Sequence, residues 1–308
     1  MAASDSVLIS VVIPAYNYAK SLRRAVESVL SQLDPHSELI IIDDGSTDET
    51  PQVVADLAEH FPGKFRAIRQ LNAGLAAVRN RGIEEAKGRY LIFLDADDEM
   101  CANALFLLKQ HISRYPDTQF VIGGHISVLP GGRESKKMPE ALPETPLDRV
   151  RAYLLDKKLC LSNGACAMDR EVFTVGRYPE RFRNAEDIPV FAQVLASYRC
   201  SVIDAPVARI YKHDDSLRHN LTYGMQIGDQ LVAEVFDAGR LPDSMRVLRQ
   251  AFLAQRYLSL FRTFAAVGKR KEGLEFYLLA LKSDWRAIFR ISYTRKAFRL
   301  VFGSEQSG

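Results

Sequence analysis

No stretch of this 308-residue chain reaches the roughly 20 consecutive apolar residues that span a bilayer, so a membrane-spanning protein is not expected. The first residues, Met1 to Asp5, are few, polar and without a basic start, so no signal peptide is expected either. Cysteine is scarce. Cys101, Cys160, Cys166 and Cys200 contain no C-x-x-C pair, which argues against a zinc or disulfide framework and for a reduced, cytoplasmic protein. The first apolar run is not followed by a glycine- and lysine-rich phosphate loop. Pro14-Ala15-Tyr16-Asn17 stands there instead, where a nucleotidyltransferase would need such a loop. No internal repeat is evident in the first two thirds.

Apolar residues make up 47% of the chain, enough for one large domain with an appendage. The formal net charge of +3 is unevenly placed. Arg240 to Gly308 carries 14 Lys/Arg against 5 Asp/Glu, so the remainder is slightly acidic. A basic tail of this kind suits an anionic membrane leaflet or nucleic acid. A nucleic-acid module would interleave aromatic and basic residues on an exposed strand face, whereas these lie on predicted helices, so no nucleic acid is expected as partner.

The first hundred residues alternate two periods. Val7 to Ile13, Leu39 to Ile42, Phe65 to Arg69 and Tyr90 to Leu94 are short apolar runs, read as strands buried on both faces. Between them, Ser21 to Leu33, Thr50 to His60 and Gly74 to Lys87 have helical spacing, with Ser21 placed to cap the first helix. Repeated β-α units predict a mostly parallel sheet flanked by helices. Further on, 104–115, 147–155 and 186–198 read as helices and 120–129 and 201–210 as strands. The span 130–146 is rich in proline, glycine and charge and reads as an exposed, mobile loop. After about Leu217 only helices are expected, over 222–238, 244–267 and 270–282, with a weak αα-hairpin about Gly268. The organisation expected is therefore 1–217 as an α/β unit and 218–308 as a basic helical region.

Acidic residues cluster where strands end. Asp95-Ala96-Asp97-Asp98 closes the run Tyr90 to Leu94, and Asp43-Asp44-Gly45-Ser46-Thr47-Asp48 closes Leu39 to Ile42. Ligands of open α/β sheets bind at the carboxyl ends of strands. Paired carboxylates there suit a hard divalent cation that completes its shell with substrate phosphates. A polar turn would explain the same residues, and Asp43 or Asp44 could instead cap the helix near Thr50. Arg183-Asn184-Ala185-Glu186-Asp187 precedes a helix whose dipole alone would favour acids in its first turn.

Four segments in this order and spacing, Pro14-Ala15-Tyr16-Asn17, Asp43 to Asp48, Asn72-Ala73-Gly74 with Arg79-Asn80-x-Gly82, and Asp95-Ala96-Asp97-Asp98, resemble the inverting family-two glycosyltransferases of the GT-A fold. The resemblance is clear over roughly 7–100 and continues more loosely to about His213. It implies a GT-A nucleotide-diphospho-sugar transferase fold with a C-terminal helical extension. It also implies a UDP- or dTDP-sugar donor and a glycan or lipid-linked acceptor. The layout resembles small bacterial lipopolysaccharide-core or exopolysaccharide transferases, which implies a cytoplasmic enzyme, peripheral on the inner membrane.

The same resemblance assigns residues. Asp44 would accept a hydrogen bond from the base N–H, with Pro14, Ala15 and Tyr16 covering the base. Asn72, Gly74 and Arg79 would line the nucleotide from the other side. Asp95 and Ala96 would reach the ribose, and Asp97, Asp95 and His213 would hold Mn²⁺ or Mg²⁺. Asp187 would be the catalytic base, with Glu186 orienting the acceptor or supporting the base, and Ser162-Asn163-Gly164 lies where relatives form the acceptor pocket floor. The alternatives are a solvated Arg79, a Gly74 that merely starts a helix, an exposed Asp98, and an inactive GT-A scaffold. Ile188-Pro189 follows the Glu-Asp pair where the family more often has a polar residue and a hydrophobic one.

Overall fold

A computed structural model describes residues 7–212 and 221–302, with side chains described for all of these except 221–228 and 302. Four strands form the parallel half of one sheet: β1 (Ile9–Ala15), β2 (Ser37–Asp43), β3 (Arg66–Arg69) and β4 (Tyr90–Phe93). They lie in the order β3-β2-β1-β4 and are joined by α1 (Leu22–Leu30), α2 (Thr50–His60) and α3 (Leu75–Glu85). The register is direct, with Ala15 beside Asp43 and Val12 beside Phe93. The two-residue period of β1 sorts its side chains between two cores. Ile9, Val11 and Ile13 pack on Leu22, Ala25, Val26 and Val29 of α1. Val12 points the other way, into the cluster holding Ala76 and Val78 of α3.

The sheet then turns mixed. It continues through β5 (Glu99–Met100), β6 (Phe120–Val128), β7 (Glu134–Lys137), β8 (Cys166–Asp169) and β9 (Cys200–Tyr211). Strand β8 is antiparallel to both β4 and β6, β9 is parallel to β6, and β5 closes the path antiparallel to β9. The helices α4 (Ala104–Arg114), α5 (Pro146–Leu154) and α6 (Asp187–Ser197) cover it.

Several details differ from the sequence reading, among them the short strands β5 and β8, which it did not contain. The expected loop 130–146 contains β7, which pairs with β6 and holds Glu134 beside Val128. Ser21 occupies the N-cap position of α1 but its hydroxyl makes no capping hydrogen bond. Residues 243–248, read as the start of a long helix, form a 3₁₀ turn instead.

The C-terminal part is helical as expected: α7 (Leu221–Phe236), α8 (Arg249–Ala266), α9 (Arg270–Ser283) and α10 (Ile291–Phe302). Leu231, Val235 and Phe252 lie in the same apolar cluster as α5 and α6. Beyond that point α8 and α9 form a hairpin about Gly268, with a core of its own at Leu258, Phe261, Tyr277 and Ala280. Among the described residues no helix is long and apolar enough to cross a membrane.

Phe93 ends β4 fully buried, edge-on to Phe173 at 6.2 Å and to Tyr178 at 5.5 Å between ring centroids. Removing the ring leaves a cavity beneath the acidic loop. Phe93→Ala is expected to cost about 3–5 kcal/mol, read as a lower urea midpoint at unchanged slope; a cost under about 1 kcal/mol would contradict this packing.

Candidate active site at the carboxyl ends of the strands

Backbone register brings the acidic loops together. Asp44 N–H donates to the Ala15 carbonyl at 2.8 Å, and Leu94 N–H donates to Val12 O at 2.9 Å. The loops after β1, β2 and β4 therefore leave the sheet side by side. Asn17, at φ 60°, laces two of them: its Oδ1 accepts from Thr47 N–H at 2.8 Å and its N–H donates to Ser46 Oγ at 3.0 Å.

Asp43 and Asp44 do not cap α2, where Glu49 holds the N-cap and Asp48 accepts from Thr50 N–H at 2.9 Å. Asp43 accepts from Ser46 N–H at 2.9 Å and pairs with Arg69 at 3.2 Å. Asp44 is buried and reaches the segment before α3. Its Oδ1 accepts from Gln70 Nε2 at 2.8 Å and Ala73 N–H at 3.0 Å, and its Oδ2 from Gly74 N–H at 2.8 Å. A carboxylate offers about four lone-pair positions, so one is left for a further donor.

Two glycines make this possible. Gly45, at φ 74°, lets the backbone at Asn72 approach: a Cβ there would stand 2.9 Å from Asn72 N. Gly74 does start α3, but at φ 93°, and a Cβ on it would collide with the Arg183 guanidinium. The Arg183–Asp187 loop thus lies against the start of α3. Asn72 is exposed, as is Tyr16 at the mouth of the β1 loop, while Pro14, Ala15 and Ala96 are buried.

Arg79 is the residue that joins the halves. It is not solvated but only 3% exposed. Nη2 donates to Asp95 Oδ1 at 2.9 Å and Nη1 to Glu186 Oε1 at 2.6 Å, across 107 residues of sequence. Burial pulls its proton affinity down, but Asp95 and Glu186 outweigh that and hold it more firmly charged than usual. Beside it, Asn80 grips the segment after β8, donating to the Tyr178 carbonyl at 2.9 Å and accepting from Tyr178 N–H at 3.0 Å.

In the acidic loop, Asp95 is partly exposed and Asp97 is half-buried. Asp98, expected at the surface, is buried, because its carboxylate turns inward to accept from Tyr211 N–H at 2.9 Å. Burial first, then the neighbouring Asp95 and Asp97, push its carboxyl up to about 8. Arg24 of α1 clasps the loop, donating to the Asp97 carbonyl at 2.6 Å, pairing with Glu99 at 3.0 Å and lying 3.8 Å over the Tyr211 ring. Nothing in the sequence marked Arg24, since it sits among other polar residues of an amphipathic helix.

Glu186 and Asp187 open α6, preceded by Ala185 at φ 63°. That conformation costs a residue with a Cβ about 1–2 kcal/mol, so the pair is held by the surrounding fold. Glu186 is buried against Arg79, whereas Asp187 is half-buried. Burial first, and then the Asp187 charge, raise the Tyr153 hydroxyl well above its ordinary range. Tyr178 OH donates to Asn163 Oδ1 at 2.6 Å, so the Ser162–Gly164 segment joins the same wall.

The donor set suits a hard cation. Asp95 and Asp97 stand one residue apart in the loop after β4, while Asp98 turns inward to Tyr211 N–H. Among the described residues no three His, Cys, Asp or Glu side chains converge as a closed metal cage. Asp95 and Asp97 would therefore be the protein's share, with phosphate and water completing the shell. His213 lies outside the described residues.

A parallel half joined to a mixed half that carries a second acidic pair, with acidic loops at the strand ends, has the architecture of the GT-A type. The model for Glycosyl transferase family 2 matches residues 10–176, more than half of the chain, and the chain belongs to that family. It is 38% identical over 140 residues to an uncharacterized glycosyltransferase, alr2836, of Nostoc sp., covering 45% of this chain and 42% of that protein. It is 40% identical over 92 residues to the putative teichuronic acid biosynthesis glycosyltransferase TuaG of Bacillus subtilis, covering 30% of this chain and 36% of TuaG. The matches thus span less than half the length of these relatives. Among solved structures, S. aureus TarS 1-349 in complex with UDP-GlcNAc aligns with TM-score 0.66 at 18% identity, over 96% of this chain and 89% of that one. The mannosyltransferase PcManGT of Pyrobaculum calidifontis, in complex with GDP-Man and Mn²⁺, aligns with TM-score 0.57 at 16% identity, over 96% and 88%. At such identities these likenesses establish the fold.

Removing Arg79 would leave Glu186 buried without its strongest partner. Arg79→Met is expected to destabilise the protein by about 3–5 kcal/mol in urea unfolding, and adding Glu186→Gln to recover much of that loss. A double variant no more stable than the single one would show that the two side chains are not coupled.

Proposed function

We propose that this chain is an inverting, metal-dependent transferase that moves a sugar from a UDP- or dTDP-sugar to a hydroxyl of a glycan or lipid-linked acceptor. Its role would be in bacterial cell-surface polysaccharide synthesis, of the lipopolysaccharide-core or exopolysaccharide kind. The observation that carries this reading is the Asp95–Arg79–Glu186 bridge, which joins the D-x-D loop to the Glu-Asp pair in one site. The match to TuaG, by its name a teichuronic acid biosynthesis enzyme, supports the assignment to surface polysaccharides. The catalytic unit would be 1–217, with 218–308 as its basic helical extension, working at the cytoplasmic face of the inner membrane.

In this reading Asp44 uses its remaining lone pair to accept the imide N–H of uracil or thymine, which selects a base with a donor at that edge. Pro14, Ala15 and Tyr16 cover the base, and Asn72 and Gly74 close it from the other side. Arg79 fixes Asp95, which meets the ribose beside Ala96. Asp97 and Asp95, with His213, would hold Mn²⁺ or Mg²⁺. The ion, when bound, supplies positive charge against the departing diphosphate.

Inversion needs one base. As the acceptor oxygen attacks the anomeric carbon, the bond to the diphosphate breaks and the hydroxyl proton must leave. Glu186 is committed to Arg79 at 2.6 Å, so it supports and orients. Asp187 is the carboxylate that takes the proton. Asn163 and Tyr178 belong to the acceptor side of this wall.

Asp97→Ala is expected to abolish Mn²⁺-dependent turnover of the donor while leaving the thermal midpoint without ligands unchanged. Full turnover by this variant in the presence of EDTA would end the metal assignment. Asp187→Asn should retain the stabilisation by UDP or dTDP in a thermal-shift assay but lose transfer by about 10² or more. Near-normal transfer would move the base to another group.

A further inference from the structure

The stretch from α9 to the end of α10 exposes more apolar surface than the fold uses. Trp285, Ile288, Phe289, Ile291, Phe298 and Val301 are each between 46% and 69% exposed. Trp285 and Phe289 stand edge-to-face with centroids 5.7 Å apart. The inward face of α10 is already satisfied: Ala297 is buried, and Tyr293 and Leu300 pack against the α8–α9 core. The outward face repeats Ile291, Arg295 and Phe298, with Arg299 and Val301 beside them. A contiguous apolar face of this kind on a folded chain marks an interaction surface.

Its charge identifies the partner. From Leu278 to Phe302 there are six Lys/Arg and one acid, Asp284. Asp284 is taken by Arg286 at 2.9 Å, and Arg290 reaches back to Asp156 at 3.7 Å. Among the described residues no carboxylate pairs with Lys282, Arg295, Lys296 or Arg299. A second copy of the chain would bring the same positive sign to the interface, which disfavours self-association through this face. Aliphatic residues among the aromatics favour hydrocarbon over stacked bases. Beside the face lies a cavity of about 250 Å³ between α5, α8 and the 285–289 turn, with Leu155, Ala254 and Leu258 as apolar lining and Arg151, Arg286 and Arg290 as its cations. Asp156 and Asp284 also line it. Arg290 donates to the Leu155 carbonyl at 3.4 Å, so the face is fixed to the end of α5.

We propose that the 278–301 face is a docking surface for an anionic lipid bilayer, with Trp285, Phe289 and Phe298 at headgroup depth and the arginines on lipid phosphates. Arg and Lys side chains can bury their stems among apolar groups while their charged ends reach lipid phosphates, so cations beside exposed rings can serve such an interface. The inference deepens the proposed acceptor location and is separable from it, because vesicle binding and donor turnover are read independently.

The test is co-sedimentation of the full chain with phosphatidylcholine vesicles, with and without phosphatidylglycerol, at low and high salt. Binding is expected only with phosphatidylglycerol and is weakened by salt. Arg295→Glu with Arg299→Glu should weaken it roughly tenfold or more. Trp285→Ser with Phe289→Ser should weaken it at fixed lipid charge. Both variants should keep the wild-type thermal midpoint and donor turnover. Equal binding to neutral vesicles, no binding at all, or unchanged binding by both variants would overturn the proposal. So would a dimer in sedimentation equilibrium, or an oligonucleotide complex, that the same substitutions dissolve. The wild-type lipid and salt dependence decides the matter even if one variant fails to fold.

Discussion

The Arg79 guanidinium lies 2.9 Å from Asp95 and 2.6 Å from Glu186, almost fully withdrawn from water. Removing the Arg79 and Glu186 charges from solvent is costly, and only close, well-aligned hydrogen bonds offset it. A planar fork can hold two carboxylates at once, whereas an ammonium is a single point of charge. The bridge sets the distance between the loop after β4 and the first turn of α6. The acids carried by those two segments depend on it: Asp95 and Asp97 on one side, Asp187 on the other. Asn80, the next residue on α3, repeats the device with neutral groups by gripping Tyr178. One helix therefore fastens the parallel half of the sheet to the half that carries the second acidic pair.

The sheet explains why the acids converge. In its parallel half every strand points the same way, so the loops after β1, β2 and β4 emerge at one edge. Reversal at β8 then lets the chain return along β4 and build the opposite wall from Asn163, Tyr178 and the start of α6. Glycine at 45 lets the Asn72 backbone approach, glycine at 74 leaves room for the Arg183 guanidinium, and Ala185 is held in a left-handed conformation nearby. Strain and close approach cluster within a few residues of the acids, as expected where geometry serves chemistry rather than stability.

The C-terminal helices divide between two tasks. The second half of α7 and the start of α8 bury Leu231, Val235 and Phe252 with α5 and α6, so they brace the helix that carries Asp187. The α8–α9 hairpin and α10 keep a small core of their own and leave a basic, aromatic face outside it. Burial on one side and charge with rings on the other give this region an orientation with respect to whatever it meets.

Much of the fold could be read from the chain because the first hundred residues alternate two clean periods. Helix α2 falls on the residues its spacing marks, and the acidic loops fall where buried apolar runs stop. The short strands β5, β7 and β8 were not legible, since two to four residues carry no measurable period and their pairing comes from neighbours distant in sequence. The site divides in the same way. Residue type and order alone determined that carboxylates stand at Asp44, Asp95, Asp97 and Asp187 and that a basic tail follows. Only the tertiary structure decided that Asp98 is buried, that Arg79 bridges rather than faces solvent, and that Glu186 is bonded to Arg79. Those outcomes rest on contacts between segments more than 100 residues apart, such as Asp98 with Tyr211 and Arg79 with Glu186, and no local pattern encodes which long-range partner a charge will find.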